Sequence, residues 1–262
     1  DQLIQCLKEK KINPLPIFTH WMRDKSKGIP GFEDNLEKYC KYQGRVLPNA
    51  LIQCLWFSVK VGRDVTNENF LEELDIPIIH GETLLQDVST WNDSLQGLSD
   101  SEIQANIIMP EFDGVIHGVP YATRDVDSCT GSNAIPLGIK ALAERACNWA
   151  KLSFITNKDK KIAIILHNYP PDNSNIGTAM ALDSITSTEI LIHYLHHDGY
   201  NVGEKEAEGW LINQITSGLS NDREFIDYEL KKGALAFSSE RYEEWFNNLE
   251  NCVQEELEHF WG

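Results

Sequence analysis

Ile162-Ala-Ile-Ile-Leu166, running into His167-Asn-Tyr-Pro-Pro171, is the stretch whose reading decides the fold class. An unbroken aliphatic run of this length suits a strand buried on both faces, as in a parallel sheet. Residues 167–182 read as a loop carrying Pro170, Pro171, Asn173, Asn175 and Gly177. Asp183 is then an N-cap candidate for a helix with Ile185, Ile190, Leu191, Tyr194 and Leu195 on its apolar stripe. His196-His197-Asp198-Gly199 closes that helix, with the glycine suited to a left-handed C-cap and the imidazoles favourable at its negative end. Tyr200-Asn-Val202 opens a further strand. Strand, loop, helix, strand is half of a doubly wound sheet, and such sheets bind ligands beyond the carboxyl ends of their strands. His167 occupies that position.

Working outward, the same alternation recurs toward the amino end. Leu15-Pro-Ile-Phe-Thr19 and Ala50-Leu-Ile-Gln-Cys-Leu-Trp56 read as short buried strands, with a helix over Phe32–Cys40 between them. Asn67-Glu-Asn-Phe-Leu-Glu-Glu-Leu74 reads as a short helix feeding a strand at Ile76-Pro-Ile-Ile79, and Ser99 caps another helix. One long helix is expected from Ser132 to about Thr156, starting near residue 135 because Pro136 is tolerated only in a first turn. The expected class is α/β: parallel-sheet, Rossmann-like lobes at 1–131 and 157–262, a linking helix at 132–156, and a helical C-terminal region.

The 262 residues carry 23 basic and 40 acidic side chains, a net charge of −17. Such a balance repels phosphate backbones and argues against nucleic acid as a partner. From Gly203 to Gly262 there are 14 acidic and 5 basic side chains, so that region reads as amphipathic helices with an acidic outer face, aromatics including Trp210, Phe225, Tyr228, Trp245 and Phe260 on the other. No apolar run approaches the roughly 20 residues of a bilayer-spanning helix, so no membrane role is expected. Six cysteines without close pairing suit a reducing compartment rather than a disulfide or zinc framework, and a cytoplasmic location. A chain opening on Asp1 and stopping at Phe260-Trp-Gly262 reads as a segment of something longer.

Two constellations carry possible chemistry. In Met109-Pro-Glu111-Phe-Asp113-Gly114, followed by His117-Gly118, two carboxylates at i and i+2 would share one face of an extended segment. Such a pair can share a proton or hold a divalent cation, although a plain surface turn fits the pattern too. His167, leaving a strand, titrates near neutrality, and a rim histidine with no chemical task is equally compatible. His80-Gly-Glu82 follows a strand and reads either as a ligand-facing edge or as a turn. His193, His196 and His197 suit capping or surface positions better than a metal site. No P-loop, GxGxxG, GxSxG or HExxH pattern occurs, so this chain is not expected to bind ATP by the usual phosphate loop.

These residues resemble a known family. Lys161–Pro171, Ile176–Asp183, Ser187 and Leu195–Val202 are similar to the tetrapyrrole-binding large subunit of cobaltochelatase, CobN, and to the H subunit of magnesium chelatase. Pro14–Phe18, Phe70–Ile78, Trp91 with Gly97–Ser99, Met109–Gly114 and Tyr242–Phe246 follow in the same order. The resemblance implies an internal fragment of a subunit of an ATP-dependent metal chelatase. That enzyme inserts cobalt, as substrate metal, into a corrin precursor of the hydrogenobyrinic acid a,c-diamide type. Separate AAA+ ATPase partners would use the ATP and magnesium. The magnesium branch, with protoporphyrin as substrate, and a non-catalytic docking domain of the same subunit are the alternatives.

Inserting a metal requires removing two pyrrole protons and stripping water from the ion, so a held base and a carboxylate relay are needed. Glu111 and His167 are the expected catalytic residues, with Glu111 and His117 also expected to meet the metal. Asp113, Gly114, His117, Asn168, Tyr169, Gly177, Thr178 and Asp183 are the expected substrate contacts.

Overall fold

A computed structural model describes residues 1–19, 23–60, 69–124, 132–203, 209–218 and 237–261. The chain divides into two compact units, residues 1–156 and 157–262. The fold is α/β.

The first unit opens with helix α1 (Gln2–Glu9) and helix α2 (Phe32–Cys40), the latter entered through the Gly31 amide, which donates to the Asp34 carboxylate at 2.8 Å. A small hairpin of β1 (Lys41–Tyr42) and β2 (Arg45–Val46) follows. The main sheet has the order β3 (Leu51–Gln53), β4 (Ile78–Leu84), β5 (Ile116–Arg124), β6 (Ser132–Ala134). The first three are parallel and β6 is antiparallel. Between β4 and β5 the chain forms α3 (Val88–Asp93), α4 (Asp100–Ile103), a π-helical turn at Gln104–Ile108, and α5 (Met109–Glu111). Ser99 and Glu102 make the expected box at the start of α4: the Ser99 amide and hydroxyl both donate to the Glu102 carboxylate, at 2.9 and 2.6 Å.

The Pro136 reading holds to one residue, since α6 runs Pro136–Leu152. It is no bridge. Ile139, Leu142, Ala143, Ala146 and Cys147 are buried, packing the helix on Ile79 of the sheet and on Leu7 of α1. Full burial of Leu142 alone is worth about 2 kcal/mol, which is why α6 belongs to the first unit. A second cluster, Leu36, Val59, Phe70, Leu71, Leu74, Ile78 and Val115, fills the space under α2.

In the first unit two strand expectations and one helix expectation differ from the structure. Leu15–Thr19 is irregular, with Leu15 and Phe18 exposed. The strand expected at Ile76–Ile79 starts at Ile78 and continues to Leu84, so His80-Gly81-Glu82 lies inside a strand rather than after one. Of the helix expected at 67–74, a single 3-10 turn at Glu72–Leu74 is seen, and residues 67–68 lie outside the described residues.

In the second unit residues 162–166 form no regular element and pair with no strand among the described residues, and Ile165 is 93% exposed. A run of this composition becomes a strand only where neighbours supply the ladder bonds; the aliphatic pattern encodes burial, not a partner. Tyr200–Val202 is likewise not a strand. The regular elements are a hairpin of β7 (Thr178–Ala179) and β8 (Leu182–Asp183), then α7 (Ser184–His197), α8 (Trp210–Ser217), α9 (Ser239–Asn247) and α10 (Asn251–Trp261). Asp183 caps α7 by accepting from the Thr186 amide at 2.9 Å, and Gly199, at φ +84°, closes it by donating to the His196 carbonyl. The stripe of α7 is less buried than expected, with Ile190, Leu191 and Tyr194 exposed. The C-terminal helices carry exposed Tyr242, Trp245, Phe260 and Trp261, while Phe225 and Tyr228 lie outside the described residues.

Candidate functional site

The site of the first unit is assembled where α5 turns into β5. Pro110 enters the short helix, and Asp113, Gly114 and Val115 fold back on it, their amides donating to the carbonyls of Pro110, Glu111 and Pro110. This is a turn, not an extended segment, so Glu111 and Asp113 diverge instead of sharing a face. Gly114 makes the turn possible at φ +75°, a region costly for any residue with a Cβ.

Asp113 points inward. It is 4% exposed, and its two carboxylate oxygens accept from the Ser58 hydroxyl and the Val59 amide, both at 2.6 Å. Burial raises its pKa above the ordinary carboxylate value, while those two donors pull it back. It anchors the chain after β3 through both carboxylate oxygens.

Glu111 points outward, and its Oε1 lies 2.6 Å from Nε2 of His117. Both side chains are about half exposed. With Glu111 ionised, Nε2 of His117 carries a hydrogen and donates it to Oε1, and among the described residues no group of three or more His, Cys, Asp or Glu could hold a metal ion. The two side chains form a half-exposed carboxylate–imidazole pair. It stands at the amino end of β5, opposite to the strand ends where open parallel sheets usually bind ligands.

What positions His117 is a β-bulge. Ile79 aligns with Ile116 but Gly81 aligns with Val119, so β5 carries an extra residue at 117–118; a second irregularity falls between Glu82 and Thr83. Bulges re-aim side chains and increase local twist. Gly118 is obligatory there: a Cβ on it would stand 1.4 Å from the His80 carbonyl oxygen. Among the described residues β6 pairs only with Ala122–Arg124, which leaves the start of β5 without a strand partner on that side. Arg145 of α6 caps it, donating from Nη1 to the carbonyls of His117 and Gly118 at 2.6 and 2.7 Å.

Behind the pair lie two buried titratable groups that sequence reading left as edge or turn. His80 is 1% exposed, with Nδ1 at 2.6 Å from Gln53 Oε1 and Nε2 at 3.4 Å from Asn106 Oδ1. Burial lowers its pKa, and the neighbouring Asn106 and Gln53 raise it in part. Glu82 is 5% exposed. Burial raises its pKa, against the pull of His117, Arg145 and the Gly118 amide. Arg145, Asn106 and Ser58 carried no motif of their own. The available signal was the alternation of His80 and Glu82 about a glycine, which continues a strand.

The expected residues of the second unit are local to one another. His167 and Tyr169 are exposed, with ring centroids 6.3 Å apart, and the His167 carbonyl accepts from the Gly177 amide at 2.7 Å. The Thr178 hydroxyl donates to the Asn175 carbonyl, so Thr178 and Gly177 stabilise their own loop. Asp183 is used as the helix cap, and its hydrogen bonds from Thr186 hold its pKa below the usual carboxylate range. Asn168 lines a largely apolar cavity of about 630 Å³ with Ile162, Ile164, Leu166, Ile192 and Leu195. Its volume falls within the range of small-molecule sites.

The molecule is thus an α/β protein with a carboxylate–imidazole pair in one unit and an apolar ligand-sized cavity in the other. The family model described as CobN/Magnesium Chelatase matches residues 1–262, and the chain belongs to that family. It is 31% identical to an uncharacterized protein of Methanocaldococcus jannaschii over the whole chain and 22% of that relative. It is 32% identical to the chloroplastic magnesium-chelatase subunit ChlH of Oryza sativa, over 66% of the chain and 13% of that protein. With the aerobic cobaltochelatase subunit CobN of Sinorhizobium sp it shares 23% identity over the whole chain and 20% of the relative. In fold it is similar to the catalytic subunit of cobaltochelatase from Mycobacterium tuberculosis, with TM-score 0.70 and 23% identity, covering the whole chain and 21% of that structure. The chain therefore spans about a fifth of the length of these relatives, and 13% of the plant subunit.

Proposed function

We propose that this chain is part of the tetrapyrrole-binding subunit of an ATP-dependent metal chelatase, and that Glu111 with His117 takes up a proton released from a pyrrole nitrogen when the metal enters. The observation that carries this reading is the 2.6 Å contact between Glu111 and His117, held half exposed by the bulge and Arg145 in a member of the CobN/Magnesium Chelatase family. Each pyrrole N–H bond that breaks leaves its electron pair on nitrogen for the metal, and its proton needs an acceptor held at the macrocycle. His167 supplies an imidazole in the second unit, and Asn168 with the apolar cavity supplies a surface for the flat, greasy face of a macrocycle. Cobalt is the substrate metal we assign, with a corrin precursor as macrocycle, because His167-Asn168 and Leu182-Asp183 resemble the cobalt branch. AAA+ partners would hydrolyse ATP, consistent with the absence of a P-loop motif in this sequence, and a cytoplasmic setting follows from that partnership.

The test is metal insertion by the complete subunit with its ATPase partners, followed by the change in tetrapyrrole absorbance. Glu111→Gln should lower the rate at least about 100-fold, the usual worth of a positioned acid–base group. An undiminished rate would overturn the assignment. Cobalt and magnesium assayed in parallel identify the metal. Tetrapyrrole fluorescence quenching by this chain alone separates a binding unit, which quenches at micromolar concentration, from a docking domain, which does not.

A further inference from the structure

We propose that Lys160 determines the specificity of the apolar cavity in the second unit, its ammonium pairing with a carboxylate arm of a tetrapyrrole whose flat face lies on the cavity's aliphatic wall. This rests on the proposed tetrapyrrole-binding role and adds to it the chemical group that the cavity recognises.

The wall comes from separate stretches of the chain: Ile162 and Ile164 of the aliphatic run, Ile192 and Leu195 of α7, and Leu211 and Ile215 of α8. It is incompletely covered, since Ile162 is 51% and its neighbour in the cavity Ile165 is 93% exposed. Apolar surface left in water costs free energy that a flat apolar ligand recovers by covering it. At about 630 Å³ the cavity is large enough for one small molecule. Among the described residues that line it, Lys160 alone is charged. In a chain with 40 acidic and 23 basic side chains, a cavity lined by a cation and by no carboxylate stands apart from the general surface.

The ammonium of Lys160 is held in place. Its Nζ donates to Asn157 Oδ1 at 2.9 Å and lies 5.7 Å from the centroid of the Tyr200 ring, which lines the same cavity. Asn157 is fixed in turn, its Nδ2 donating to the Asp198 carbonyl at the end of α7 at 2.8 Å. Lys10, Lys41 and Lys60 of the first unit each meet a glutamate at 2.7–2.9 Å, whereas among the described residues no carboxylate pairs with Lys160. An ammonium has three N–H donors and Asn157 takes one, so the others remain for a carboxylate. A cation already positioned beside an apolar wall loses little further side-chain freedom when a ligand binds. Asn168 adds a neutral donor: its Oδ1 accepts from the Asp172 amide at 3.4 Å, and its Nδ2 has no partner among the described residues. The corrin precursor and protoporphyrin both carry carboxylate arms around a macrocycle, so an aliphatic wall with one held cation suits either.

The experiment measures fluorescence quenching by this chain with two probes, protoporphyrin and its uncharged dimethyl ester. Lys160→Gln keeps an N–H for Asn157 and removes the charge. It should weaken protoporphyrin binding about 5- to 10-fold and leave the ester within about 2-fold. Lys160→Arg, which keeps the charge, should retain most of the protoporphyrin affinity. In the native chain protoporphyrin should shield Lys160 from acetylation more than the ester does, read by peptide mass spectrometry; that measurement decides the matter if Lys160→Gln fails to fold. Equal losses for the two probes, no loss for protoporphyrin, or equal shielding overturns the inference. Displacement of protoporphyrin by laurate at the same concentration would give the cavity to an alkyl carboxylate and overturns it too. The two readings fail differently: no quenching by the native chain removes the binding role and this inference with it, whereas quenching indifferent to Lys160 removes only the carboxylate contact.

Discussion

Replacing Asp113 with alanine is the sharpest check on the division of labour between the two carboxylates of Glu111-Phe-Asp113. Asp113 accepts from the Ser58 hydroxyl and the Val59 amide at 2.6 Å each, within a buried corner of the first unit. A hydrogen bond to a charged acceptor is worth about 1.5–3 kcal/mol, and two of them sum to roughly 3–6 kcal/mol. The raised pKa of Asp113 shows that burial costs its charged form more than these donors return, so the net loss should lie no higher than the lower end, about 3 kcal/mol. Against a total stability on the order of 5–15 kcal/mol that is a large fraction. For a unit of about this size it corresponds to a fall of roughly 6–12 °C in Tm. Urea unfolding followed by circular dichroism measures it directly. Because the folded pKa of Asp113 is raised, its share of stability is complete below the unfolded value near 3.9 and declines as pH rises through the folded one. Asp113→Ala should therefore also flatten that decline. A loss under about 1 kcal/mol, with tetrapyrrole binding abolished instead, would refute the anchoring role and return Asp113 to the binding surface.

Two further perturbations probe the frame of the site. Gly118→Ala drives a Cβ to 1.4 Å from a backbone carbonyl that no rotamer change can move, so β4 and β5 must part; a loss of about 3 kcal/mol or outright misfolding is expected in thermal melts, and a native-like Tm would contradict the bulge geometry. His80, buried and with its pKa lowered, gives its full contribution above about pH 6.5 and loses it as pH falls toward its folded midpoint, so wild-type stability should fall on acidification from pH 7 to 5 more steeply than that of His80→Gln, an expectation that urea midpoints at the two pH values check.

The parts of the fold legible in sequence were those set by local chemistry. Pro136 marked the start of α6, Ser99 with Glu102 marked α4, and Asp183 with Gly199 bounded α7, because caps and ring constraints act within a few residues. Glu111 and His117 were also found together, six residues apart across one turn. Strand status was less legible. Ile162–Leu166 has the composition of a buried strand and lacks a paired neighbour, whereas β4 extends past its apolar run through His80 and Glu82 because β3 and β5 flank it. Ladder bonds come from residues distant in sequence, so no window of sequence around a strand contains them. The same holds for the extra residue at 117–118, which is visible only as a mismatch between two strands.

The geometry of this site follows from a packing problem rather than from any one residue. A parallel strand pair needs a close approach where β5 bulges, and glycine at 118 permits it. Beside the bulge two carbonyls accept from Arg145 of α6, and α6 is itself fixed by burying Leu142 and Ala146. Burial of the sheet's other face forces Glu82 and His80 into low-dielectric surroundings, where small changes of nearby charge move a proton easily. Glu111 and His117 stand half exposed beside the bulge. The core of α6 thus supports the geometry of the site: a change that loosens Leu142 should slacken Arg145 and, through its bonds to the His117 and Gly118 carbonyls, the placement of His117.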